Sequence, residues 1–122
     1  MPGIPGRIIL DGKCSVAAPV TVYIRLLDTS RIDAPAQLKA ELALTAVRLD
    51  EIGHEGLPFC ITLDEEPDPR ARYEISVLAD VNGDGKKSVG DYITMRSYPV
   101  LTAGSPTETS IRVQRISGST KV

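Results

Sequence analysis

The chain has 122 residues, a net charge of −2, 42% hydrophobic residues and 25% charged residues, the make-up of one globular domain able to bury its own core. It has no run of Lys and Arg and no apolar stretch near the roughly 20 residues that span a bilayer, which excludes a nucleic-acid footprint and a membrane-spanning helix. The two cysteines, Cys14 and Cys60, lie in apolar segments and read as unpaired unless the protein is exported.

In chain order, Arg7–Leu10 is a short β-branched run closed by the turn pair Asp11-Gly12. Pro19–Asp28 alternates, with Val20, Val22, Ile24 and Leu26 on one face and Thr21, Tyr23 and Arg25 on the other. Ala36–Val47 is rich in helix formers, yet Leu38, Ala40, Leu42, Leu44 and Ala46 alternate with Lys39, Glu41, Ala43 and Thr45. Helical spacing leaves Leu44 unplaced, so the segment is expected to be a strand. Leu57–Leu63 sets Leu57, Phe59, Ile61 and Leu63 against Pro58, Cys60 and Thr62, and Tyr73–Ala79 does the same through Tyr73, Ile75, Val77 and Ala79. Tyr92–Val100 and Thr109–Ile116 complete about seven strands. The expected fold is all-β: one β-sandwich domain of the immunoglobulin or transthyretin kind over residues 1–122, its core at about 6–116 and a frayed tail at 117–122.

One segment spells out chemistry. Asp80-Val81-Asn82-Gly83-Asp84-Gly85-Lys86-Lys87-Ser88-Val89-Gly90-Asp91 offers oxygen ligands at alternate positions around a glycine at the sixth. A hard cation such as Ca2+ takes several oxygens at once, and a loop that bends at its sixth residue can wrap it. The expected ligands are the side chains of Asp80, Asn82, Asp84 and Asp91, the Lys86 backbone carbonyl, and Ser88 directly or through water. The opening resembles the loop of dockerins. Closure by Asp91 in place of the longer Glu implies a tighter loop and modest affinity. Strands on both sides make it a hairpin loop rather than a helix-flanked sensor. An ion-free turn is the competing reading, since Asp, Asn and Gly favour turns for backbone reasons.

The other polar clusters carry little. His54 is the lone histidine, in a Gly-flanked polar loop, and Asp64-Glu65-Glu66 with Asp68 lies in a proline-broken connection. A small hydrolase using these groups would need a paired base and nucleophile, which the sequence does not supply, so no enzyme is expected.

Several stretches together resemble the YbaY/YscW family of small β-rich bacterial envelope domains. They are Val20–Leu27 running into Asp28-Thr29-Ser30-Arg31-Ile32-Asp33-Ala34-Pro35, then Leu57-Pro58-Phe59, Asp68-Pro69-Arg70 before Tyr73-Glu74-Ile75, and Ser97-Tyr98-Pro99-Val100-Leu101-Thr102. The resemblance spans roughly residues 18–104 and implies a non-catalytic β-sandwich that meets a protein partner; one branch pilots an outer-membrane secretin. It also implies a periplasmic or envelope location, whereas the opening Met-Pro-Gly-Ile-Pro-Gly has no signal-peptide pattern and reads as cytoplasmic. Arg31 and Asp33 are expected to fix the turn after the second strand, and Tyr98-Pro99 to mark a strand end.

Overall fold

A computed structural model gives the fold; it describes residues 3–10, 18–31, 33–52, 55–63, 68, 70–83, 85–86, 89–95, 98–100 and 109–116. The strands are β1 (Gly3–Leu10), β2 (Val20–Asp28), β3 (Gln37–Val47), β4 (Leu57–Thr62), β5 (Tyr73–Asp80), β6 (Tyr92–Thr94), β7 (Pro99–Val100) and β8 (Thr109–Arg115). A 3-10 turn, Leu49–Glu51, is the one helical element among the described residues. All eight strands belong to one sheet in the order β3-β2-β5-β6-β8-β1-β4, with β7 also on β5. The sheet curls until its end strands β3 and β4 approach one another, so the expected two layers are the two sides of one nearly closed surface. Most neighbours are antiparallel, but β1 runs parallel to β8 from Gly6↔Thr109 to Leu10↔Val113.

The inward residues are those that period two selects. Val20, Val22, Ile24 and Leu26 of β2, Phe59 and Ile61 of β4 with Leu63 just beyond it, Tyr73, Ile75, Val77 and Ala79 of β5, and Ile111 and Val113 of β8 are all buried in one core. A side chain that alternates faces can bury only one set, and the apolar set wins. In β5 the outer-face residues Leu78 and Asp80 are buried as well. Leu78 sits between Tyr23 of β2 and Ile93 of β6 in register.

Three expectations change. First, β1 starts at Gly3, because Ile4 alternates inward with Ile8 despite the Gly and Pro around it. Pro5 is tolerated because β1 pairs with β4 from Gly3 but with β8 only from Gly6, so one side of the strand carries no ladder there. Second, the expected strand Tyr92–Val100 divides into β6 and β7, which serve opposite ends of β5: Leu78↔Ile93 and Tyr73↔Val100. Pro99, having no N–H to donate, opens β7. Third, β3 is a strand, but its alternation is broken twice.

Register explains that break. Val20↔Val47 is followed by Val22↔Leu44, and Leu26↔Ala40 by Leu27↔Leu38, so β3 holds an extra residue at each place. Each extra residue exchanges the faces of what lies beyond it. Only Ala40, Leu42 and Leu44 keep the inward face opposite buried Leu26, Ile24 and Val22. Leu38 falls opposite Leu27 on the outer face and is 55% exposed. Ala46 is exposed within the bulge between Leu44 and Val47, with φ of 56°. A left-handed conformation costs an L-residue about 1–2 kcal/mol, and glycine escapes it. Ala46→Gly is therefore expected to stabilise the fold by about 0.5–1 kcal/mol, read as a higher urea midpoint; a lower midpoint would show that the bulge is unstrained.

The turn after β2 is held by Asp28, whose carboxylate accepts hydrogen bonds from the Ser30 hydroxyl and, at 3.0 Å, from the Ser30 backbone N–H. The hydroxyl bond first and the backbone bond second hold the Asp28 carboxyl below the usual range, with Lys39 and Arg31 adding to the effect. Thr29 N–H bonds the Arg72 carbonyl at 2.8 Å. Arg31 and Asp33, expected to fix this turn, are both exposed, and Arg31 adds its charge near Asp28.

Candidate functional site

Chemistry gathers at two places in the fold: the acidic hairpin loop and the seam where the sheet fails to close. The loop joins β5 to β6, as its flanking alternation implied. Asp80 is the last residue of β5, opposite Thr21, and Asp91 directly precedes β6. Both are buried, Asp80 at 4% and Asp91 at 0% exposure, so each carboxylate needs hydrogen-bond donors at hand. Asp80 Oδ1 accepts the Gly83 N–H at 3.1 Å, and its Oδ2 accepts the Gly85 N–H at 2.7 Å. Gly83 and Gly85 have φ of 77° and 75°, which glycine adopts freely and which turns both N–H groups back toward Asp80. Asp91 Oδ1 accepts the Val81 N–H at 2.8 Å. The base of the loop is tied further by Ile116 N–H to the Asp91 carbonyl at 2.7 Å and Gly90 N–H to the Ile116 carbonyl at 3.1 Å.

Of the six expected ligands, Asp80 and Asp91 lie buried at the two ends of the loop, while Asn82 and Lys86 are exposed. Asp84 and Ser88 lie outside the described residues. Among the described residues no group of three or more His, Cys, Asp or Glu is placed to hold a metal ion. The first and sixth positions of the loop do meet, through the Asp80 carboxylate and the Gly85 N–H. The Asp80 carboxylate thus draws on two backbone N–H groups and that of Asp91 on the Val81 N–H, a local stabilisation that composition does not reveal.

His54, Asp64, Glu65, Glu66 and Cys14 also lie outside the described residues, as does the segment 117–122. Asp68 shapes the connection that leads into β5. Its Oδ1 accepts the Arg70 N–H at 2.9 Å, and its own N–H donates to the Tyr73 hydroxyl at 2.9 Å. Cys60 is an exposed free thiol on the outer side of β4.

The seam is bounded by the two free strand edges. Where β3 ends and β4 begins, a groove of about 490 Å³ opens between them. Val47, Ile52 and Leu57 line it and pack incompletely on the core. Arg48, Glu51 and Glu55 form its exposed polar rim. Leu49, only 2% exposed, pins the 3-10 turn that carries this rim. Arg48 reaches Asp50 at 3.4 Å and Glu51 at 4.0 Å, and Arg7 Nη1 donates to the Glu55 carbonyl at 3.1 Å. In the sequence the available signal for this region was Val47, Ile52 and Leu57 interleaved with Arg48, Asp50, Glu51 and Glu55.

This arrangement of strands has a counterpart. The fold is similar to that of an alternative pilotin from the type II secretion system of Vibrio cholerae, with a TM-score of 0.76 at 21% sequence identity over 96% of this chain and 98% of that one. At that identity the likeness is one of fold. No family model and no curated protein matches the chain, so the YbaY/YscW resemblance rests on the residues that carry it. Among the described residues no helix is long and apolar enough to cross a membrane.

Proposed function

We propose that this chain is a non-catalytic, pilotin-like domain that binds and escorts a secretin, the pore-forming outer-membrane component of a secretion system. The observation that carries this reading is the end-to-end likeness to a pilotin: 96% of this chain and 98% of that one align, with no large insertion in either to house a separate activity. The YbaY/YscW resemblance of residues 18–104, a family one branch of which pilots an outer-membrane secretin, supports this role and an envelope location. Affinity purification of the full chain from its native cells is expected to recover a secretin, and deletion of the gene to lower the amount of assembled pore. Unchanged pore assembly together with no secretin in the eluate would overturn the reading.

A second property is compatible with the first, namely that the Asp80–Asp91 loop binds Ca2+. It is supported by the Asp80 carboxylate being held by the Gly83 and Gly85 N–H groups at 3.1 and 2.7 Å, which bends the loop at its sixth position as a cation loop requires. An ion bound only by the folded state at about a hundred times its dissociation constant would add about 2.7 kcal/mol. Millimolar calcium is expected to raise the melting temperature by several degrees, and Asp84→Ala to abolish the rise. No shift in the parent protein would refute it.

A further inference from the structure

The free edges of a nearly closed sheet invite the addition of a partner strand, but both are blunted. β3 carries two bulges and a left-handed residue at Ala46. β4 has only six residues, and Pro58 among them lacks an N–H. Bulges, shortness and proline are the devices that stop an edge from acting as a backbone template. Recognition at the seam must therefore go through side chains. The groove between β3 and β4 offers an incompletely covered apolar floor, Val47, Ile52 and Leu57. Its volume of about 490 Å³ suits a few inserted side chains. On its rim, Glu51 and Glu55 set two exposed carboxylates against the single guanidinium of Arg48, which also reaches Asp50 at 3.4 Å. The Glu55 carboxylate has no ion pair among the described residues.

We propose that this groove takes a short extended segment of a protein partner in which basic residues flank apolar ones, the apolar side chains seated on Val47, Ile52 and Leu57 and the cations on Glu51 and Glu55. This names the recognition chemistry of the partner-binding reading above and rests on it. Apolar contact at the floor supplies affinity, while the rim charges select against acidic segments and speed the encounter.

The test uses the intact chain and a short fluorescent peptide that alternates Leu with Lys. Anisotropy is expected to show binding that weakens as salt rises. The double variant Glu51→Lys, Glu55→Lys, at two exposed positions where folding is not at risk, is expected to bind at least tenfold more weakly. Glu74→Lys, outside the groove, is expected to bind as the parent does, and a peptide with Glu in place of Lys not to bind. Equal binding by the double variant, or by a Gly–Lys peptide with no apolar residues, would overturn the assignment. The two readings also separate in the cell. A double variant that still recovers the secretin removes the groove assignment and leaves the pilotin-like reading standing. A parent chain that binds the peptide but recovers no secretin does the reverse.

Discussion

Gly56→Ala is expected to lower stability by about 2–4 kcal/mol, from two additive causes. Gly56 has φ of 79°, and a Cβ built on it would lie 2.7 Å from the Ile8 carbonyl oxygen and 3.2 Å from Ile9 Cγ1. The conformation alone costs alanine about 1–2 kcal/mol. The contact adds to this because the nearest atom is backbone of β1, which is laddered on both sides, to β4 and to β8, and cannot swing away as a side-chain tip would. Urea unfolding should show a fall in midpoint with little change in slope. A midpoint within experimental error of the parent would mean that β4 can separate from β1 at no cost, contrary to the ladder Ile8↔Leu57 through Gly3↔Thr62. The two causes can be told apart at Gly83, whose φ is 77° but whose Cβ would meet nothing within 4 Å. There alanine is expected to cost the conformational part only.

The second large effect belongs to Asp91. Asp91→Ala removes a wholly buried carboxylate and leaves the Val81 N–H, which it accepts at 2.8 Å, without that partner. The Val81 N–H is part-buried, so losing its acceptor costs about 1 kcal/mol, and the volume vacated at the wholly buried Asp91 adds to it, for a total of about 2–3 kcal/mol. Asp91→Asn keeps an acceptor in the same place and is expected to lose clearly less. Carried out in a chelator, the comparison concerns the hairpin's own hydrogen bonds and is independent of calcium. Equal stability of Asp91→Ala and the parent under those conditions would show that the bond to Val81 contributes nothing. Repeating both variants with calcium present then shows whether Asp91 has a second role as a ligand.

The acidic loop was legible in the sequence as a loop. Asp, Asn and Gly at close offsets between two alternating segments can hardly be anything else, and a strand does lead in, β5, and another lead out at Tyr92, though it ends at Thr94. Its inner arrangement was not legible. That Asp91 is fully buried depends on the end of β8, whose Ile116 bonds both Gly90 and Asp91, and no local pattern announces a strand lying 25 positions further along the chain. The groove is a similar case. Val47 and Leu57 are separated by a turn and meet across a gap that exists only because the sheet stops one pairing short of closure.

By itself, the amino-acid sequence determined that this protein is all-β and which side chains of β2, β4, β5 and β8 face the core. Alternation is a property of the extended backbone, so it needs no knowledge of neighbours. Tertiary structure alone decided the rest. The bulges that send Leu38 outward and strain Ala46 come from matching β3 to the register of β2. The parallel contact of β1 with β8 joins segments about 100 residues apart, and the seam follows from strand order. These are outcomes of pairing energies summed over the whole sheet, and no window of the chain contains them.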